Sequence, residues 1–428
     1  MSVATARVVG LLACQQTPFL RELDTHVLSC SDTPDSEGLY YVELADTVIF
    51  PEGGGQPSDT GNISGVPVKH ARRDGLRAIH YVPASIPAGT SVRVEVDFKR
   101  RLDHMQQHSG QHLLSAVLRK YWGLETVSWN LGATVSHVEL RAPKELVLLQ
   151  GALDAIESKC NDMIFEALPI STNIIEQAAA TCPSTVPDDY VGGVIRHVEI
   201  GVAGAAIDRN ACCGTHLAST AQMQVLKLAG VDRIRGGNMR LFFYVGARVR
   251  EYAEASLVRD KRLAGLLSCP PETQGEAVER LIKQGKASLK SLKSLRVQLA
   301  PLVAQDLRNQ LVAQGKIQRQ STVYHCEDGD GPFSSSIGSE LARLMAGSNA
   351  EWLTVVASGP KADGGPLVVV GNDEASIIDA VERLTLLLGT CKGGLSHGTW
   401  RGKAANFVRL AKLNLSAQSS TLGSSDMI

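Results

Sequence analysis

The first quarter of the chain has the hydrophobic pattern of short β-strands. From about residue 25 to 98, alternating or β-branched runs are separated by clusters of Gly, Pro and Asp. The runs are THVLSC, LYYVELADTVIF, VPVKHARR, AIHYV and SVRVEVDF. Short strands at this spacing predict a small β-barrel or sandwich.

The period becomes helical at RRLDHMQQHSGQHLLSAVLRKYW, which predicts a helix over about 104–118. Four apolar residues share one face of that helix: Leu113, Leu114, Val117 and Leu118. Residues 125 to 250 mix strand-like runs such as VIRHVEIG and LFFYVG with a helical segment around LVLLQGALDAIESKCNDMIFEAL. This mixture predicts a second, α+β domain.

The remaining third of the chain changes character twice. Residues 273 to 300 are rich in Lys, Leu and Gln, and the leucines at 292, 295, 299 and 302 have the 3,4,3 spacing of a coiled-coil or hairpin seam. Pro301 predicts that this helix stops or kinks there. From about 320, LTVVAS and LVVVG flank the helical run EASIIDAVERLTLLL and predict a small α/β domain. The Ser-rich end SAQSSTLGSSDMI predicts a disordered tail.

Composition narrows the class of protein. The 428 residues predict two to four domains, and a formal net charge of −1 means that any nucleic-acid contact comes from local basic patches. The nine cysteines are odd in number and lack a framework spacing, which indicates a reducing compartment. Without a signal peptide or an apolar run of about 18 residues, we expect a soluble cytoplasmic protein that does not contact membranes.

Two short motifs predict a metal site. In RNACCGTHL, His216 follows Cys212 by four residues, and in HSGQH the residues His108 and His112 share one helix face. Together they supply three imidazoles and one thiolate, which is a complete ligand set. HSGQH lacks the Glu of the zinc-protease motif HExxH, so peptidase chemistry is not supported.

Each half of this set has an alternative interpretation. HSGQH alone is compatible with surface or buried histidines, and CCGTH alone with a buried thiol before a turn. Cys213 is the alternative thiolate, at a spacing of three from His216. His104, one turn before His108, is either a group behind the ligands or at the substrate, or a solvated histidine.

The motifs DTVIFPEGGGQPSDTG, HSGQHLLSA and CCGTHLAST, in this order along the chain, resemble the editing domain of alanyl-tRNA synthetases and its freestanding AlaX relatives. The resemblance extends from about residue 14 to 412, with CCGTH in place of the synthetase pattern CGGTH. It implies a multidomain α+β fold. The expected parts are an N-terminal β-barrel-like domain (1–98), a zinc-containing editing domain (99–250), a helical connector (251–318), a C-terminal α/β domain like the end of alanyl-tRNA synthetase (319–414) and a disordered tail (415–428).

The resemblance also implies roles for individual residues. One Zn²⁺ per chain is expected on His108, His112, Cys212 and His216, and Thr47 is expected to sense a serine hydroxyl. Gly54, Gly55 and Gln56 are expected to bind the aminoacyl end of the substrate, although GGGQP is equally a turn between strands. No residue is assigned as the general base.

The activity implied is hydrolysis, in trans, of serine from mischarged Ser-tRNA(Ala), without aminoacylation. Candidate contacts to tRNA phosphates are Arg235, Arg401 and Lys403. Two other hypotheses stay open. One is a zinc-containing module that binds tRNA or protein without hydrolysis, and the other is a deacylase of glycyl- or D-aminoacyl-tRNA. The sequence leaves open whether the leucines at 292–302 pair within or between chains.

Overall fold

The computed structural model describes residues 6–141, 143, 146–176, 190, 193–202, 204–234, 237–315, 319–413 and 415. The chain divides into two compact units, Met1–Arg262 and Leu263–Ile428. The predicted disordered tail lies outside the described residues, except for Leu415, which is buried.

The first unit begins with a short helix, α1 (Ala13–Gln16), and a seven-stranded antiparallel sheet of order β4-β3-β7-β1-β2-β6-β5. The strands are β1 (Glu22–Cys30), β2 (Tyr40–Leu44), β3 (Gly61–Ile63), β4 (Val66–Val68), β5 (His70–Asp74), β6 (Arg77–Val82) and β7 (Ser91–Val96). Alternate residues of β7 are buried, as its sequence pattern predicts. Because β4 also approaches β6, the sheet curves into a barrel-like form.

Helix α2 (Phe98–Trp122) is longer than its apolar pattern predicts. It begins at Asp97, whose side chain accepts a hydrogen bond from the Arg100 N–H, and it ends at Gly123, which has a left-handed φ of 64°. Its central turns are buried on every side, polar residues included. In a helix buried in this way, a polar atom that finds no partner inside the protein costs free energy.

The remainder of the first unit has two antiparallel sheets, of order β13-β14-β9-β8 and β10-β11-β12, which contribute to one apolar core with α2 and α3. The elements are β8 (Glu125–Asn130), β9 (Ser136–Arg141), α3 (Gln150–Phe165), β10 (Ile170–Glu176), β11 (Val194–Ile200), β12 (Asp208–Ala211), β13 (Leu226–Arg233) and β14 (Met239–Val245). Helix α4 (Ala247–Leu267) begins in this unit and contains the boundary at Arg262. The α+β class is therefore confirmed for this part of the chain. Strands β10, β12 and β13 were not predicted, and β12, with the sequence DRNA, has no apolar alternation that would indicate it.

The second unit has one mixed sheet of order β15-β16-β17-β19-β18, in which only the β15–β16 pair is parallel. Its elements are α5 (Gln274–Ala313), β15 (Arg319–Cys326), α6 (Gly331–Leu344), β16 (Glu351–Ser358), β17 (Gly365–Gly371), α7 (Glu374–Leu388), β18 (Cys391–Ser396) and β19 (Thr399–Ala404). One core cluster joins the sheet to α7, and another joins it to α5 and α6.

The prediction that the connector helix stops or kinks at Pro301 is wrong as to the stop, because α5 continues to Ala313. Proline removes one backbone donor from a helix. Here, however, the flanking turns are anchored: Ala300, Ala304 and Leu307 are buried in the core that α5 shares with α6 and the sheet. Among the described residues, no helix is long and apolar enough to cross a membrane.

Candidate metal centre

Helix α2 holds two histidines one turn apart in the interior of the first unit. His108 and His112 are 0% and 6% exposed, and their ring centroids lie 5.2 Å apart. Leu113 and Leu114 fix the rotation of the helix because they are completely buried in the core. The packing of these leucines therefore directs both imidazoles toward the same region.

The other pair comes from the turn after β12. Cys212 Sγ lies 3.3 Å from His216 Nε2 and 3.4 Å from His108 Nε2. One ligand atom from each of His108, His112, Cys212 and His216 lies within 4.8 Å of the others. Gly214 makes this approach possible, because a Cβ there would lie 2.3 Å from the His108 ring. The structure thus brings together the four residues predicted from HSGQH and CCGTH.

Each imidazole is oriented by a hydrogen bond at its other nitrogen. Nδ1 of His108 lies 2.9 Å from Gln56 Oε1, and Nδ1 of His112 lies 2.9 Å from Asp208 Oδ2. Nδ1 of His216 lies 3.2 Å from Ser109 Oγ. Partners of this kind fix the ring and leave Nε2 for a metal.

The residues fit a zinc ion in kind and in spacing. Zinc takes cysteine at about 2.3 Å and histidine at about 2.0–2.1 Å, so tetrahedral geometry separates S from N by roughly 3.5 Å. The separations of 3.3 and 3.4 Å around Cys212 Sγ are close to that value. The four residues form a cluster that can hold one metal ion.

The electrostatics of the cluster favour a thiolate. Burial opposes ionisation, but the charges of His108 and His216, with hydrogen bonds from the histidines, hold the pKa of Cys212 well below its usual value. Burial likewise lowers the pKa of His112, yet its contacts with Asp208 and Cys212 raise that pKa to about 10. Burial and the charge of His108 lower the pKa of His216 to about 3. Thiolate is the form of cysteine that binds metal.

A cleft of about 730 Å³ opens beside the cluster, and His112 and Cys212 are part of its wall. Three arginines also line it: Arg73, Arg119 and Arg196. Trp129 lines it as well, with its ring centroid 4.9 Å from that of His108. The cleft therefore combines two members of the cluster, an aromatic ring and arginine side chains.

Comparison with known proteins identifies the family. The family described as "Threonyl and Alanyl tRNA synthetase second additional domain" matches residues 195–242. An alanyl-tRNA editing protein of Mus musculus is 34% identical over 413 residues, covering 93% of this chain and 95% of its own. One from Danio rerio is 32% identical over 413 residues, covering 94% and 95%. The chain belongs to the family of alanyl-tRNA editing proteins.

A more distant relative is an alanine–tRNA ligase. The enzyme of Pyrococcus furiosus is 28% identical over 381 residues, which span 80% of this chain but 40% of the ligase. The 195–242 match contains Asp208, Cys212 and His216, so half of the cluster and one orienting carboxylate lie in the region that matches the family.

The glycine-rich motif of this editing-protein chain forms a tight turn. Gly53 and Gln56 exchange backbone hydrogen bonds, and Gly54 and Gly55 have φ of 56° and 78°. A Cβ at Gly54 would lie 2.6 Å from Cys213 Sγ, and one at Gly55 would lie 2.6 Å from the Trp129 ring. Both glycines line the cleft, as a substrate-binding role requires. Because they lack a side chain, they also allow Cys213 and Trp129 to approach the backbone closely.

Gln56 lies behind the cluster. It is 0% exposed, and its Oε1 accepts from Thr215 N–H at 3.0 Å as well as facing His108. Its Nε2 donates to Thr215 Oγ1 at 2.9 Å. The structure therefore shows Gln56 joining the glycine turn to a ligand and to the CCGTH turn, and its binding of substrate stays a prediction.

Thr47 is 1% exposed and does not line the cleft. Its Oγ1 lies 2.9 Å from His80 Nε2 and accepts from Ile49 N–H at 3.0 Å. His80 Nδ1 lies 3.1 Å from the Val42 carbonyl, so Nδ1 donates there and Nε2 accepts from Thr47. The hydroxyl is thus engaged within the barrel-like sheet, and its role in sensing serine stays a prediction.

His104 makes no hydrogen bond to the four candidate ligands among the described residues. Its Nδ1 is 3.9 Å from Asp59 Oδ1, and neither atom has a hydrogen-bond partner among the described residues. The other carboxylate oxygen of Asp59 pairs with the buried Arg101. Burial lowers the pKa of His104 to about 4. No hydrogen bond joins it to the cluster within the described part of the chain.

Two of the three predicted tRNA contacts lie on one strand of the second unit. Arg235 lies outside the described residues. Arg401 and Lys403 are exposed on β19 of the second unit, and Lys403 is directly opposite Lys392 on β18. These two strands form one edge of their sheet, so their cations share an exposed hairpin.

Several residues that build the site were not predicted. Asp208 and Ser109 orient ligands, and Arg196, 3% exposed, donates to the carbonyls of Gly214 at 2.8 Å and Gln15 at 2.9 Å. Gln15 in turn donates to the Cys213 carbonyl at 2.7 Å. Their sequence signal is weak, because no short motif marks any of these residues. Each acquires its role only through tertiary contacts.

Proposed function

We propose that this protein hydrolyses the ester between serine and the terminal ribose of mischarged tRNA(Ala), acting in trans and without charging tRNA. The single observation that carries the proposal is the four-ligand cluster on the wall of a cleft in a chain of the alanyl-tRNA editing family. Such an activity would support the fidelity of translation.

The cleft suits the end of an aminoacyl-tRNA. Its volume of about 730 Å³ is within the usual range for sites that bind small ligands. Arg73 and Arg119 can attract the terminal phosphates, and Trp129 offers a ring for stacking a base. The glycine turn at Gly54 and Gly55 leaves room for close approach of the substrate.

His108, His112, Cys212 and His216 would hold one zinc ion, and Gln56, Asp208 and Ser109 would fix the imidazoles. Bound zinc would supply Lewis acidity that polarises the ester carbonyl. The positive groups in the cleft hold the tRNA end beside this wall, and the buried helix α2 keeps the wall rigid.

Serine is the expected mischarged residue because a pocket built for alanine cannot strongly reject an added hydroxyl, the discrimination being about 100-fold. A separate site that hydrogen-bonds the hydroxyl would reject alanine much more strongly. The relatives from Mus musculus and Danio rerio, each covered to 95% of its own length, are named editing proteins, which supports an activity of editing without charging tRNA. The free state of every described cysteine supports a reducing, cytoplasmic location.

A second function has one observation in its favour. Four protein donors complete a tetrahedral set, as in structural zinc sites. That favours a zinc-stabilised module that binds tRNA without hydrolysing it.

The test compares release of serine from Ser-tRNA(Ala) and of alanine from Ala-tRNA(Ala) by the full chain, with the bound metal quantified. Cys212→Ala is paired with its neighbour Cys213→Ala, since only the first removes a proposed ligand. We expect rapid release of serine, lost together with metal in Cys212→Ala and retained in Cys213→Ala. Bound zinc with tRNA binding but no release from either substrate would favour the binding module.

A further inference from the structure

One buried acceptor on the wall of the cleft has no partner. Gln111 is 6% exposed and lines the cleft beside His112. Its Oε1 is buried without a hydrogen bond among the described residues. Other buried side-chain atoms of the described residues also lack a partner, but only Gln111 Oε1 belongs to a residue that lines the cleft. An unmet buried acceptor is costly, so it calls for a partner that arrives with a ligand.

The amide of Gln111 is held in a fixed orientation. Its Nε2 donates to Ser115 Oγ at 2.9 Å, and Ser115 Oγ lies 2.7 Å from Thr126 Oγ1. Gln111 and Ser115 are four residues apart on α2 and so share a helix face, next to the face that carries His108 and His112. This chain of bonds occupies the nitrogen end of the amide and leaves the oxygen end for a donor.

We propose that Gln111 Oε1 is the acceptor that recognises the side-chain hydroxyl of the seryl group, an inference that rests on the proposed hydrolysis of Ser-tRNA(Ala). The neutral amide suits a neutral hydroxyl, because no charge has to be desolvated. The neighbouring wall is formed by hydroxyl-bearing Ser115 and Thr126 and by the cationic Arg119, which disfavours placing the substrate ammonium there.

The position of Thr47 strengthens this assignment. Its hydroxyl is engaged by His80 and by Ile49 N–H, and it does not line the cleft. Gln111 instead combines a free acceptor with a place on the same wall as two of the ligands. A seryl substrate would donate a hydrogen bond to Gln111 Oε1, whereas an alanyl substrate would leave this acceptor unpaired. The lost hydrogen bond would slow hydrolysis of Ala-tRNA(Ala) and so spare correctly charged tRNA.

The experiment measures kcat/KM for Ser-tRNA(Ala) and for Ala-tRNA(Ala) with the full, metal-loaded chain and reports their ratio. In Gln111→Met, which keeps the volume and removes the acceptor, we expect the Ser/Ala ratio to fall by about tenfold or more. Gln111→Glu keeps an oxygen acceptor at the same place and should retain a preference for serine. Gln150→Met, at an exposed helical position, is the matched control and should leave the ratio unchanged.

The outcomes separate this inference from the function on which it rests. A wild-type chain that releases neither amino acid overturns the proposed function itself. With an active wild type, an unchanged ratio in Gln111→Met, or an equal loss of both substrates, overturns the hydroxyl assignment. So does a fall in ratio that occurs in Thr47→Val but not in Gln111→Met. Should Gln111→Met fail to fold or to bind metal, Ser115→Ala, which frees the nitrogen end of the amide and removes the bond to Thr126, must still lower the ratio. An unchanged ratio there would overturn the inference.

Discussion

Asp208 holds His112 through a hydrogen bond of 2.9 Å between its Oδ2 and the imidazole Nδ1. The carboxylate side chain is 0% exposed, and its Oδ1 receives bonds from Arg119 at 3.1 Å and Asn210 at 2.6 Å. Both carboxylate oxygens of Asp208 therefore accept hydrogen bonds. Its negative charge makes His112 more basic and directs Nε2 toward the other ligands.

Asp208→Asn should weaken metal binding by about 10- to 100-fold, because the amide keeps the shape of the side chain but loses the charge that orients His112. Competition of the purified variant against a chelator of known affinity measures this. Asp24→Asn, at an exposed strand position, is the control for removal of a carboxylate elsewhere. Equal affinities in all three proteins would show that Asp208 does not tune the cluster.

Gly54→Ala should destabilise the first unit and loosen the cleft. Its φ of 56° strains any side chain, and the added Cβ would lie 2.6 Å from Cys213 Sγ. Gly75→Ala is the matched control, because its φ is 60° and nothing lies within 4 Å. We expect a loss of about 1 kcal/mol in unfolding free energy for Gly75→Ala and clearly more for Gly54→Ala, measured by urea denaturation. The same loss in both would leave the contact with Cys213 without consequence.

Acid should destabilise the barrel-like sheet through His80. Burial lowers the pKa of His80 to about 4, whereas an unfolded histidine titrates near 6.5. Between these values the unfolded chain binds the extra proton, so the stabilisation present at pH 7 is lost as pH falls from about 6.5 toward 4. From pH 7 to 5 the loss due to His80 is on the order of 2 kcal/mol.

Unfolding free energies of wild type and His80→Gln, each saturated with metal, check this at pH 7 and pH 5. The variant should be less stable at pH 7 but lose less stability on acidification. Parallel losses in the two proteins would place the acid sensitivity at other groups, among which His104 has a similarly lowered pKa of about 4.

Arg401→Ala and Lys403→Ala should each weaken tRNA binding at all acceptor-stem sequences, because both cations are exposed on β19 and would neutralise phosphates. The slope of log affinity against log salt should fall by about one for each contact removed. Arg343→Ala, which removes an exposed cation paired with Glu340 on α6, is the control. Salt titrations that give one common slope would remove the β18–β19 hairpin from the tRNA interface.

The sequence could identify the four residues of the cluster but not the residues that support them. His108 and His112, like Cys212 and His216, are pairs separated by four residues, so local spacing alone brings each pair together. Their supports come from far along the chain: 96 residues separate His112 from Asp208, and 52 separate His108 from Gln56. Such contacts depend on tertiary packing, which hydrophobic periodicity does not encode.

The fold shows the same division. The alternating strand β7 and the periodic helix α7 were predictable because a buried face repeats along each element. The run LYYVELADTVIF, in contrast, is a strand only over Tyr40–Leu44. After it, the Asp46 carboxylate accepts from the Thr47 N–H at 2.8 Å, which replaces pairing with a neighbouring strand. Side-chain bonds of this kind end a strand without changing its apolar pattern.

The bond from Gln15 to the Cys213 carbonyl joins residues 198 positions apart. A ribosome would therefore complete nearly half of the chain before the turn that carries Cys212 and His216 could meet the segment that fastens it. Contacts of such long range slow folding, because closing a long loop costs conformational entropy before the contact stabilises the protein. The nascent protein would carry α2, complete at Trp122, before the turn with Cys212 and His216 has been made. Metal capture by the finished cluster would then mark the end of folding of the first unit, and the rate of metal uptake after dilution from urea would measure when that point is reached.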